Sequence, residues 1–83
     1  MRDCAFSVLA RDEASAREII NGGLMIFHPA ITQTSDGWEV RFHALPQDAE
    51  HIEAMIGYWL RRIGVPEATV MIAGRPTSIQ ARL

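Results

Sequence analysis

Residues 45–66 constrain the fold more than any other stretch, because both ends of a helix and one continuous apolar stripe are written into them. Pro46 suits a first helical position, where its missing N–H is not needed, and Asp48 and Glu50 place acid in the first turn. At the other end Arg61 and Arg62 put cations in the last turn, Gly64 closes the helix and Pro66 forbids continuation. Ala49, Ile52, Met55, Ile56, Trp59, Leu60 and Ile63 recur at three and four residues, a stripe wide enough to cover a sheet.

The rest of the chain supplies that sheet. Residues 4–10 alternate as a strand, with Cys4, Phe6 and Val8 on one face and Ala5, Ser7 and Leu9 on the other. Asp12 is placed to cap a short helix that carries a Glu13–Arg17 pair and stops at Asn21-Gly22-Gly23. Residues 24–34 and 38–45 read as two strands of a hairpin around Ser35-Asp36-Gly37, and residues 68–73 as a further strand ended by Gly74-Arg75-Pro76. The order strand, helix, strand, strand, helix, strand resembles the ferredoxin-like split βαβ sandwich, an α+β architecture with two helices on one face of a four-stranded antiparallel sheet. Pro29, which cannot donate to a ladder, falls in the second strand, which that architecture places at an edge. A swapped hairpin or a strand-exchanged dimer gives the same local reading. The expected organisation is one domain over residues 1–76 with a C-terminal tail over 77–83.

A chain of 83 residues has room for one hydrophobic core. A core of that size typically leaves about 3 to 5 kcal/mol of net stability, so a partner or a second copy is a natural source of more. The formal charge of −2 suggests no polyanion coating, and the single cysteine, Cys4, excludes a disulfide framework or a thiolate metal cage and fits a reducing cytoplasm. No stretch is long and apolar enough to read as a signal peptide or a membrane span.

Two surfaces carry the candidate functional residues. Taking Asp36-Gly37 as the hairpin turn pairs Ile31 with Phe42, Ala30 with His43 and Thr32 with Arg41. The sheet face turned away from the helices then holds His28, Arg41 and His43, a set open to a metal, acid–base, dimer or solvated reading; a one-residue slip would bury the histidines instead. The second surface is the flank of the long helix formed by His51, Met55, Tyr58 and Arg62, whose composition suits a protein contact or a half-buried helix edge. Gly57, costly inside a helix, fits close approach of another backbone or sequence drift.

Catalytic and cofactor motifs are missing. No serine has a GxSxG context, no glycine-rich phosphate loop is present, and no cation is placed to activate Cys4. The open face expected from strands one and three offers no aromatic for stacking bases, and Arg61, Arg62, Arg75 and Arg82 make only a sparse basic set. The expectation is a non-enzymatic protein-binding module without a cofactor, able to form a homodimer. In size and missing motifs it is analogous to small phage-encoded inhibitors of bacterial defence complexes such as anti-CRISPR proteins, whose partner is a bacterial nucleoprotein complex. The alternatives are a dimeric α+β-barrel ligand-binding protein or enzyme with a pocket near His28, Arg41 and His43, and an RNA- or DNA-binding module.

Overall fold

A computed structural model describes residues 3–82; Met1 and Arg2 of the expected domain and Leu83 of the expected tail lie outside them. Strand β1 (Cys4–Ala10) is followed by helix α1 (Glu13–Asn21), strands β2 (Ala30–Thr34) and β3 (Gly37–Ala44), helix α2 (Ala49–Ile63), and strands β4 (Glu67–Ile72) and β5 (Arg75–Gln80). The strands form one antiparallel sheet in the order β2-β3-β1-β4-β5. The chain is therefore α+β, and the expected four-stranded sheet is corrected to five strands.

The fifth strand comes from the segment read as a stop and a tail. Ala73 and Gly74, with φ of 52° and 80°, form a two-residue turn with both central residues left-handed, the geometry that matches strand twist in a tight hairpin. Arg75 then pairs with Ile72 and the strand runs back along β4 to pair Gln80 with Glu67. Pro76 is accommodated because β5 is an edge strand, where a missing donor costs no ladder bond.

The second strand is shorter than expected. Leu24–Phe27 forms a 3-10 turn, and His28, with φ of 52°, and Pro29 lead into β2. An apolar run of four residues has no period to separate turn from strand. The hairpin register is also corrected. Ala30 pairs with Arg41, Ile31 with Val40 and Thr32 with Glu39, because the two-residue loop is Ser35-Asp36 and not Asp36-Gly37. The shift is two residues, so every side chain keeps its expected face.

Both helices are defined by their ends. The Asp12 side chain accepts the Ser15 N–H at 2.7 Å, which satisfies an orphan donor of α1 and holds the Asp12 carboxyl below its ordinary pKa. Residues Pro46–Asp48 make a 3-10 turn before α2 begins, so the expected helix starts later than Pro46. It ends as expected: Gly64 N–H donates to the Arg61 carbonyl and Val65 N–H to the Leu60 carbonyl, at 3.3 and 3.0 Å, a Schellman closure.

The core lies between the helices and one sheet face. Phe6, Val8, Val40, Phe42, Val70 and Ile79 from the strands meet Ala16 and Ile19 of α1 and Ile52, Ile56, Trp59 and Leu60 of α2. Phe42 is central, stacked between Phe6 and Phe27 at ring separations of 5.2 and 5.4 Å. Trp59 joins the helices by donating its indole N–H to the buried Ser15 carbonyl at 2.9 Å. No helix among the described residues is long and apolar enough to cross a membrane.

Candidate functional site

The flank of α2 is only partly a free surface. His51, Tyr58 and Arg62 are exposed, whereas Met55 is half-buried, and a methyl group added at Gly23 would run into its sulfur. Met55 thus covers the turn that leaves α1. Arg62 pairs with Glu18 of α1 at 3.1 Å, at an exposed site where such a bridge is worth well under about 1 kcal/mol. Its guanidinium remains available to exchange Glu18 for another anion. Tyr58 is 54% exposed and stands at a shallow groove shared with Glu53, Ser78 and Arg82.

Two residues that line the groove, Gln80 and Arg82, pack against Gly57. A methyl group at Gly57 would lie 2.5 Å from Arg82 Cγ and 3.1 Å from the Gln80 carbonyl oxygen, and the Arg82 N–H donates to the Gly57 carbonyl at 3.0 Å. The glycine admits the chain's own C-terminal segment against α2. Close approach is the role it fills, and residues 81 and 82 pack on the domain.

The open sheet face carries Ala5, Ser7 and Leu9 of β1, Glu39, Arg41 and His43 of β3, and Thr69 and Met71 of β4. No aromatic stands among its described residues. Glu39 organises the polar part: one carboxylate oxygen accepts the Ser7 hydroxyl at 3.0 Å and the other pairs with Arg41 at 3.1 Å. The Arg41 charge is therefore compensated within the sheet. His43 is exposed two residues along, opposite Ala5, and His28 stands outside the ladder because β2 begins at Ala30. The observed register, extended, would set position 28 opposite His43, but His28, with φ of 52°, lies outside the strand, so the ladder sets no relation between the two histidines. No group of three or more histidine, cysteine or acidic side chains able to hold a metal occurs among the described residues.

Two exposed residues escaped the sequence reading. Met25 and Ile26, on the 3-10 turn that follows Gly23, are 59% and 72% exposed. Assigning residues 24–34 to a strand hid them. A usable signal was present: residues 19–35 contain no aspartate, glutamate, lysine or arginine, although 22% of the chain is charged. Comparison of the chain with protein-family models, curated proteins and solved structures returned no match.

Proposed function

We propose that this chain is a non-enzymatic protein-binding module that acts by occupying a surface of a macromolecular partner, as small phage-encoded inhibitors of bacterial defence complexes do. One observation carries the reading. Of the large apolar side chains left exposed, Met25, Ile26 and Tyr58 belong to the flank of α2 or to the turn that begins beside Met55. Exposed Met, Tyr and Arg around a half-buried apolar centre is the composition of a contact surface, and Arg62 supplies the charge at its rim. The choice of a defence complex as partner rests on an analogy of size and missing motifs.

The reading is tested in a bacterial strain whose nucleoprotein defence complex destroys a targeted plasmid. Expression of the chain is expected to restore transformation, and the purified chain to co-elute with the complex. Truncation of a central aromatic anchor costs at least about 2 kcal/mol, roughly 30-fold in affinity. Ile26→Asp combined with Tyr58→Ala is therefore expected to abolish both effects while leaving the thermal midpoint unchanged. Wild-type activity in that double variant, or no interaction of the wild type with the complex, defeats the proposal.

A further inference from the structure

Strand β2 is an edge of the sheet, paired only with β3. Its two-residue loop closes on the Thr34–Gly37 pair, so Ala30, Thr32 and Thr34 turn their N–H and C=O groups toward β3, and Ile31 and Gln33 turn theirs outward. Among the described residues, no backbone–backbone hydrogen bond outside the ladder involves residues 30–34. Sheets normally shield such a row with proline, lysine, a bulge or a covering segment. Here the row is Ala30-Ile31-Thr32-Gln33-Thr34, which has none of the first two and an unbroken register against β3. The opposite edge is shielded: β5 opens with Arg75 and Pro76, and the segment after it is bonded to Pro66 and Gly57. The uncharged run of residues 19–35 coincides with the open edge and with the exposed Met25 and Ile26 just before it.

We propose that β2 pairs antiparallel with β2 of a second copy of this chain, about a two-fold axis at Thr32, to make one ten-stranded sheet. The strand is its own complement. With Thr32 on the axis, Ile31 of each copy faces Gln33 of the other and Ala30 faces Thr34, so no like charges oppose one another and the outward groups of residues 31 and 33 bond across the axis. The commitment to a second copy rests on this pairing without charge conflict, and a hetero-partner strand on the same edge is the reading that a monomeric wild type would leave.

The test uses the full chain. Thr32 occupies a non-hydrogen-bonded pair at the axis, where facing Cβ atoms come within about 4.5 to 5.5 Å, close to disulfide reach. On a Cys4→Ser background, Thr32→Cys is expected to give a covalent dimer on mild oxidation, while Leu9→Cys stays unlinked. Sedimentation velocity of the wild type is expected to show a dimer. Gln33→Pro, which removes an outward donor and no ladder bond, and Thr32→Lys, which brings two ammonium groups to the axis, are each expected to sediment as folded monomers. Because a proline can unfold an edge, Thr32→Lys decides if Gln33→Pro does not fold. A wild type that is monomeric up to its solubility limit, a dimer that survives Thr32→Lys, or a Thr32→Cys chain that fails to cross-link overturns the proposal. A dimer that survives Thr32→Lys but is lost in Leu9→Arg would assign the contact to the open sheet face instead.

Discussion

The two hairpins of this sheet are built alike and exposed differently. Each joins its strands through a two-residue loop, Ser35-Asp36 in one and Ala73-Gly74 in the other, and each contributes one edge strand. The β2–β3 hairpin is anchored by Phe42 in a three-ring stack and leaves its edge bare. The β4–β5 hairpin is anchored by Val70 and Ile79 and by the docking of residues 81 and 82 on α2, and its edge carries a proline. A chain this small does not protect both edges. It closes one internally and leaves the other open.

The largest way to break the comparison is through the anchor of the first hairpin. Phe42→Ala removes the middle ring of the stack and is expected to cost about 3 to 5 kcal/mol, as much as the whole domain holds, so far-UV circular dichroism should show unfolding at room temperature. The loops offer a matched pair of smaller changes. Gly37 has φ of 147° and a methyl group there would meet the Ala10 carbonyl, so Gly37→Ala is expected to cost about 2 to 4 kcal/mol in urea denaturation. At Gly74, with φ of 80° and open space around it, the same substitution pays the backbone strain alone, about 1 kcal/mol. Equal losses at the two glycines would remove the claim that the first loop is tightly packed against β1.

The anchor of the second hairpin comes next. Gly57→Val is expected to push residues 80–82 off α2, costing about 1 to 3 kcal/mol, and to raise hydrogen exchange at the Arg82 amide. Unchanged exchange there would separate the C-terminal segment from Gly57. The smallest effect is a gain. Ala73 holds φ of 52° without the local hydrogen bonding that makes asparagine tolerant of it, so Ala73→Asn should stabilise the domain by about 0.5 to 1 kcal/mol, read as a higher thermal midpoint.

The sequence was informative wherever structure is set by neighbours along the chain. The Asp12 cap, the Glu13–Arg17 pair at 2.9 Å, the closure at Gly64 and the faces of β1 and β3 all follow from short-range patterns. The failures have a common form. Ser35-Asp36-Gly37 contains two overlapping two-residue turns, and local preference pointed to the one the sheet does not use. Gly74 and Pro76 are breakers in isolation, but with β4 alongside Gly74 closes a hairpin and Pro76 fits an edge strand. For the candidate surfaces, Tyr58 and Arg62 could be placed on an exposed flank from spacing alone. The pairing of Arg62 with Glu18, the burial of Gly57 under Arg82 and the engagement of Glu39 by Ser7 join residues distant in sequence, and no local pattern encodes them.

The central place of β1 has a consequence for how the chain becomes ordered. Val8 pairs with Val40 on one side and Val70 on the other, so β1 cannot complete both ladders until β4, some sixty residues later, is available. On a ribosome, Phe6 and Val8 would emerge early and wait without their partners. Such long-range pairing favours slow folding for a domain of this size, on the millisecond-to-second side of the usual range, with β1 unpaired on both edges until then.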